Sequence, residues 1–151
     1  MQKIVHLDIK HMNILIDGKS NEIPKVKIAD FGLACYLEED EYFRLDAGTL
    51  GYKAPEIILT EPSDFKSDIW SLGVILYDLI CGEFPFAGSN IEEVKQSILT
   101  KDIEFSGEVW STVSDECIDL LKHMLCRDQE ARYDIADVLL HPWISQNFLD
   151  D

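Results

Sequence analysis

The sequence predicts a mainly α-helical domain that carries one small β-hairpin near its N-terminus. Two short β-prone runs, at residues 14–16 and 26–29, lie on either side of a polar stretch and are typical of a hairpin. A long apolar segment then runs from residue 65 to residue 81 and stops at Gly82. Helical patterns continue after it, so we expect two strands followed by a run of helices.

The helices can be placed in order from their periodicity and their end signals. Ser63 and Asp64 are cap candidates for the first helix, which is apolar almost all round and is therefore expected at the centre of the domain. Three shorter helices are predicted at about 91–99, 114–126 and 134–140, the last of them ending at residues 141–142.

The segment 30–50 has no apolar periodicity and contains an acidic run at 38–41. It predicts an exposed loop. A structureless loop of roughly 20 residues inside a compact domain is usually functional, so this segment is a candidate for part of a site.

Composition indicates a single packed domain, because 46% of the 151 residues are apolar and 10% are aromatic. The net charge of −16 argues against nucleic acid or a membrane as a partner; it favours basic peptides or serves solubility alone. No apolar run is long enough to span a bilayer, and no secretory signal is visible. Four cysteines without a CxxC pair predict reduced, mostly buried thiols in a cytoplasmic protein.

Three motifs follow one another along the chain: His-x-Asp-x-Lys-x-x-Asn at 6–13, Asp-Phe-Gly at 30–32 and Ala-Pro-Glu at 54–56. Each alone is a moderate or weak signal, and Asp30 by itself fits an ordinary turn. Phosphoryl transfer needs a carboxylate to accept a hydroxyl proton, a cation on the phosphate, and oxygen ligands for Mg²⁺. The motifs supply this set as Asp8, Lys10, Asn13 and Asp30.

This order of motifs resembles the catalytic half of a eukaryotic protein kinase. The tail at 132–143 is similar to the closing helix of calcium/calmodulin-dependent kinases, and the resemblance covers residues 3 to 144. It implies one partial kinase domain over residues 1–151, namely a C-terminal lobe (C-lobe) without its N-terminal lobe (N-lobe). The expected parts are a catalytic loop at 6–13, an activation segment at 30–56 and a helical remainder at 63–144.

The resemblance implies a role for each matching residue. Asp8 is expected to be the catalytic base, and Lys10 is expected to contact the γ-phosphate of ATP. Asn13 and Asp30 are the expected Mg²⁺ ligands. The resemblance also places Thr49 among the catalytic residues, against Asp8 and Lys10.

Further residues match positions of the family that bind nucleotide, select the acceptor or hold the fold. Leu15 matches the floor under the adenine, although plain core packing is an alternative for it. Lys10 is typical of the Ser/Thr branch, so the implied substrate is a protein Ser or Thr hydroxyl. Glu56 and Arg132 are expected to form a buried ion pair, and Asp68 is expected to anchor the catalytic loop. His6 and Phe31 match an apolar stack between lobes.

The chain also departs from the family pattern. Leu7 replaces the usual Arg, so a phosphate on the loop would find little positive charge. His11 replaces the usual Pro, and Met12 replaces a Glu that recognises Arg in substrates; Asp78 and Glu83 could compensate. No G-x-G-x-x-G loop, strand Lys or helix Glu of the family is found among the 151 residues.

Three interpretations therefore remain open. The first is a truncated Ser/Thr kinase catalytic lobe, inactive alone, that needs a missing N-lobe or another kinase as partner. The second is a non-catalytic, pseudokinase-like binding module. The third is an incomplete gene product.

Overall fold

The computed structural model describes residues 3–18, 24–38 and 41–148. Within these ranges the prediction of a mainly α fold is confirmed, since six helices accompany four short strands. The strands are β1 (Lys3–Val5), β2 (Ile14–Asp17), β3 (Lys25–Ile28) and β4 (Cys35–Leu37). The helices are α1 (Pro55–Leu59), α2 (Lys66–Cys81), α3 (Ile91–Thr100), α4 (Asp115–Met124), α5 (Ile135–Leu140) and α6 (Pro142–Phe148).

The predicted hairpin is confirmed as the antiparallel pair β2–β3, in which Ile14 lies opposite Ile28 and Asp17 opposite Lys25. Residues 19–23 of its connection lie outside the described residues. A second antiparallel pair joins β1 to β4, with Val5 opposite Cys35. The prediction of a structureless loop over 30–50 is therefore wrong at β4, because pairing with a distant strand leaves no local periodicity to detect.

Helix α2 occupies the centre of the domain, as predicted. Trp70 and Val74 on this helix are fully buried. The helix is not buried all round, however, because the side chain of Leu79 is 70% exposed. A left-handed Gly82 with φ of 75° ends it, and only glycine adopts that conformation without strain.

Of the two predicted cap candidates of α2, the structure supports Asp64 and not Ser63. Phe65 is the N-terminal boundary residue of the helix and gives no side-chain cap. Asp64, one of the two predicted cap candidates, accepts a hydrogen bond from the backbone N–H of Lys66 at 2.7 Å. Ser63 is fully buried, where its backbone pairs with that of Phe43.

The later helices begin at side-chain caps that satisfy otherwise unpaired backbone N–H groups. Asn90 caps α3, Ser114 caps α4, and Asp134 caps α5 in a capping box with Asp137. The prediction that the last helix ends at residues 141–142 holds for α5, but α6 begins at Pro142. Proline is well tolerated at a first helical position, so it starts this helix as well as ending the previous one.

The four cysteines are free thiols, as predicted. Cys117 is buried; the other three are half-buried, so the expectation that most are buried is wrong. Among the described residues, no helix is long and apolar enough to cross a bilayer.

Candidate active site

The loop that carries the first motif is held in place by a carboxylate from the central helix. The backbone N–H groups of His6 and Leu7 donate hydrogen bonds to Asp68, at 2.7 and 2.9 Å. Burial raises the pKa of Asp68, and the two hydrogen bonds act in the opposite direction. The predicted anchoring of the loop by Asp68 is confirmed.

Asp8 lies at the centre of a hydrogen-bond cluster. Lys10 Nζ donates to Asp8 Oδ2 at 2.6 Å, and Thr49 Oγ1 donates to Asp8 Oδ1 at 2.8 Å. The amide of Asn13 donates to Asp8 Oδ2 at 3.2 Å and to its backbone carbonyl at 2.8 Å. Desolvation works to raise the pKa of Asp8, but the bonds from Lys10, Thr49 and Asn13 together hold it below its ordinary value. Asp8 is thus an ionised carboxylate at neutral pH.

Thr49 also connects Lys10 to the cluster, because Lys10 Nζ donates to Thr49 Oγ1 at 2.9 Å. The expected position of Thr49 against both residues is confirmed. An ammonium has three donors, and these contacts use two of them. The third N–H of Lys10 is therefore suited to an anionic oxygen outside the cluster.

A glycine allows the segment of Thr49 to approach the loop this closely. Gly48 has φ of 86°, and a Cβ there would lie well inside contact distance of the backbone oxygen of Leu7. A larger residue would both strain the backbone and push the two segments apart. Leu7 itself is buried and has φ of 66°, so this departure from the family pattern supports the core and adds no charge to the surface.

The second motif lies against the first. His6 packs edge-on against Phe31 with ring centroids 4.8 Å apart, and the N–H of Ala29 donates to Asn13 O at 2.8 Å. Asp30 is exposed and has a left-handed backbone with φ of 62°. Its Oδ1 accepts a hydrogen bond from the N–H of Gly32 at 3.3 Å.

The residues expected to bind Mg²⁺ have the chemistry that this ion prefers. Asp30 offers a carboxylate, and Asn13 offers its amide oxygen because its nitrogen carries both bonds to Asp8. Within the described ranges, no cluster of three or more His, Cys, Asp or Glu side chains could hold a metal. Two oxygen ligands fit an ion that takes its other ligands from phosphate and water.

Leu15, the expected adenine floor, lies on β2 with 53% of its side chain exposed. The plain core alternative for Leu15 is therefore wrong. Its exposure suits a surface that a flat ligand could cover.

Glu56 and Arg132 form the predicted buried pair. Two hydrogen bonds, at 2.6 and 2.8 Å, join the guanidinium to the carboxylate. Two further N–H groups of Arg132 donate to the backbone oxygens of Cys126 and Lys66, and Ser67 donates to Glu56. Because the pair connects α1 to the segment before α5, it holds the third motif in place.

Sequence reasoning missed the contacts of His11. Its Nδ1 lies 3.0 Å from the hydroxyl of Tyr52, and its Nε2 lies 3.3 Å from Asp78 Oδ2. The only signal was that His11 and Met12 depart from the family pattern. The partners are 41 and 67 residues away in the chain, so no local spacing reveals them.

The fold and the Asp8 cluster define an α-rich domain with a loop carboxylate fixed by a lysine and a threonine. A protein kinase domain model matches residues 1–144 of the chain. The chain therefore belongs to the protein kinase domain family, and its relatives are Ser/Thr kinases that include calcium/calmodulin-dependent types.

Three relatives illustrate the similarity. Serine/threonine-protein kinase 17A of Oryctolagus cuniculus is 36% identical over 98% of this chain and 37% of the relative. Calcium/calmodulin-dependent protein kinase type 1 of Caenorhabditis elegans is 38% identical over 95% of this chain and 41% of the relative. Calcium-dependent protein kinase 3 of Plasmodium yoelii yoelii is 39% identical over 97% of this chain and 27% of the relative. The chain thus spans only about a quarter to two-fifths of their length.

Proposed function

We propose that the chain is the C-lobe of a Ser/Thr protein kinase domain of the calcium/calmodulin-dependent type, acting in the cytoplasm. Its reaction is transfer of the γ-phosphoryl group of ATP to a Ser or Thr hydroxyl of a protein substrate. The single observation that carries the proposal is the Asp8 cluster, in which one carboxylate receives hydrogen bonds from Lys10, Thr49 and Asn13.

Asp8 is suited to orient the acceptor hydroxyl. Its depressed pKa keeps it ionised, so it accepts a hydrogen bond from the hydroxyl and takes the proton as the oxygen attacks phosphorus. A hydroxyl bound to Asp8 lies next to the ammonium of Lys10, which is 2.6 Å from Asp8. The free N–H of Lys10 then stabilises the negative charge of the transferring group.

Asn13 and Asp30 are the residues that would hold Mg²⁺. When bound, the ion neutralises phosphate charge and fixes the phosphate oxygens. Asn13 has a further part, because its amide nitrogen holds the backbone and the carboxylate of Asp8 while its oxygen stays available. Leu15 supplies the apolar floor for the adenine.

The chain alone supplies only part of the residues that bind the nucleotide. The family's glycine-rich loop and strand lysine do not occur in the 151 residues, and positioning supplies most of the rate in phosphoryl transfer. We therefore propose that the isolated chain is inactive, and that it works with an N-lobe or another kinase, without nucleic acid or membrane as a partner.

A chimera tests the proposal. The N-lobe of a calcium/calmodulin-dependent relative is joined to residues 1–151, and phosphoamino acids are analysed after incubation with MgATP and a mixed peptide substrate. We expect phosphoserine and phosphothreonine, and loss of transfer by about 10²-fold or more in Asp8→Asn. Mainly phosphotyrosine, or equal transfer by Asp8→Asn, would contradict the proposal.

A second candidate is a non-catalytic binding module, and one surface favours it. A groove of about 570 Å³ is lined mainly by apolar side chains, including Ile4, Ile28, Phe31 and Ile135, all about half exposed. Such a surface is typical of a docking site. A chimera that binds MgATP but transfers nothing, while the isolated chain binds a kinase through this groove, would favour the second candidate.

A further inference from the structure

The imidazole of His11 lies between two elements beside the catalytic loop. One nitrogen, Nδ1, is hydrogen-bonded to the hydroxyl of Tyr52 at 3.0 Å, and the two rings meet edge-on. The other, Nε2, lies 3.3 Å from Asp78 Oδ2 near the C-terminal end of α2. This second contact is close but lacks the alignment of a hydrogen bond. His11 thus occupies the approach to the carboxylate of Asp78.

This pair lies within reach of a substrate bound at Asp8. His11 follows Asp8 by three positions, so their Cα atoms are at most about 11 Å apart at 3.8 Å per residue. An extended peptide advances about 3.3–3.6 Å per residue. A peptide that presents its hydroxyl to Asp8 therefore passes His11 within a few residues of the target.

The exposed side chains around the pair are apolar. Met12, which follows His11, is 77% exposed, and Leu79, which follows Asp78, is 70% exposed. Phe84 is partly exposed and packs edge-on against Tyr52 with ring centroids 5.3 Å apart. A substrate side chain here meets a thioether, an aliphatic and an aromatic group, and an acid that the imidazole of His11 contacts.

We infer that His11 is a specificity-determining residue. By contacting Asp78, it shifts the preference of this part of the site from basic to apolar substrate side chains. The inference rests on the proposed function and names its substrate class. A free carboxylate here would pair with Arg or Lys, whereas the imidazole of His11, 3.3 Å from Asp78 Oδ2, covers this carboxylate and limits their access to it. The exposed Met12 adds apolar contact with no acid of its own.

The overall charge of −16 acts in a different way. It attracts any basic peptide at long range and does not distinguish one position of the peptide from another. Glu83 is exposed near the end of α2 and is a second possible partner for a cation. The test must therefore separate general attraction from recognition by Asp78.

The experiment measures binding of fluorescent peptides to the 151-residue chain by anisotropy. Each peptide has one Ser, alanine flanks, and either Arg or Leu at one flanking position. Measurements at about 0.15 and about 1 M salt separate long-range attraction from recognition by Asp78. At the higher concentration the screening length falls to about 3 Å, so long-range attraction is largely removed. The variants are His11→Ala, His11→Gln, Asp78→Asn, the double variant His11→Ala/Asp78→Asn, and Glu83→Gln as the matched acidic control.

At high salt we expect the unmodified chain to bind Leu peptides at least as tightly as Arg peptides. His11→Ala should raise the affinity for Arg at one position by about tenfold, equivalent to about 1.4 kcal/mol. The double variant should lose that gain, and Glu83→Gln should not change it. Circular dichroism verifies folding, and if His11→Ala does not fold, His11→Gln is expected to give the same change.

An unmodified chain that prefers Arg at one position by tenfold, with the preference lost in Asp78→Asn, would overturn this inference alone. An unchanged Arg-to-Leu ratio in folded His11→Ala or His11→Gln would also overturn it. Failure of every peptide to bind any variant would overturn the proposed function, and this inference with it.

Discussion

Replacing Glu56 by Gln tests whether the buried ion pair holds the domain together. Both side chains are almost fully buried, at 0% exposure for Arg132 and 5% for Glu56. Two hydrogen bonds of 2.6 and 2.8 Å join them. The neutral amide keeps the volume and one acceptor but removes the negative charge, so the guanidinium stays buried without its counter-ion.

Breaking one partner of a buried pair costs about 3–5 kcal/mol. Arg132 keeps its bonds to the oxygens of Cys126 and Lys66, so we expect about 3–4 kcal/mol for Glu56→Gln, a large part of the roughly 5–15 kcal/mol that stabilises a domain. With a denaturant slope of about 2 kcal/mol/M, the urea midpoint should fall by about 1.5–2 M.

Tryptophan fluorescence follows the unfolding directly, because Trp70 lies 5.1 Å from the Arg132 guanidinium. Glu104→Gln is the matched control, since Glu104 pairs with Lys101 at the surface with both side chains more than half exposed. An exposed pair contributes at most about 1 kcal/mol. A free-energy loss in Glu56→Gln no larger than that of Glu104→Gln would refute the reasoning.

Three further changes follow from the same structure. Gly48→Ala should displace Thr49 and lower transfer by the chimera at least about tenfold, because its Cβ would clash with the Leu7 oxygen; unchanged transfer would contradict this. Tyr77 donates to the backbone oxygen of Glu104 at 2.7 Å, and burial chiefly raises its pKa to about 12. Its contribution to stability is therefore complete below the unfolded pKa of about 10 and is lost as pH rises toward 12, so Tyr77→Phe should flatten the alkaline fall in urea-derived stability. Because Leu7 replaces an arginine, phosphatase treatment should leave the chimera active; loss of activity that rephosphorylation of the loop restores would count against this.

Much of the fold was predictable because its signals are local. The β-prone runs of the hairpin and the apolar run of α2 lie within single segments, and both predictions are confirmed. The pairing of β1 with β4 depends on residues about 30 positions apart, such as Val5 and Cys35. Such a pair satisfies backbone groups without any alternation in either three-residue strand, so the sequence indicates no strand there.

The site also combines residues that are close in the sequence with residues that only the fold brings together. Asp8, Lys10 and Asn13 come together because they lie within six residues of one loop. Thr49 was placed correctly only through the resemblance to kinases, and Gly48 shows the physical reason for its approach. The contact between His11 and Asp78 joins a loop to a helix 67 residues later, and it depends on how α2 packs in three dimensions.

The central claim is that the chain supplies the residues that transfer the phosphoryl group, namely the Asp8 cluster. It does not supply the family's glycine-rich loop and strand lysine, which hold the phosphates of the nucleotide. Calorimetric titration of MgATP into the isolated chain tests this claim directly. The chain is first shown to unfold cooperatively, and the chimera is the positive control. We expect micromolar affinity for the chimera and no micromolar binding by the isolated chain. Micromolar affinity of the isolated chain, together with phosphoryl transfer that Asp8→Asn abolishes, would contradict it.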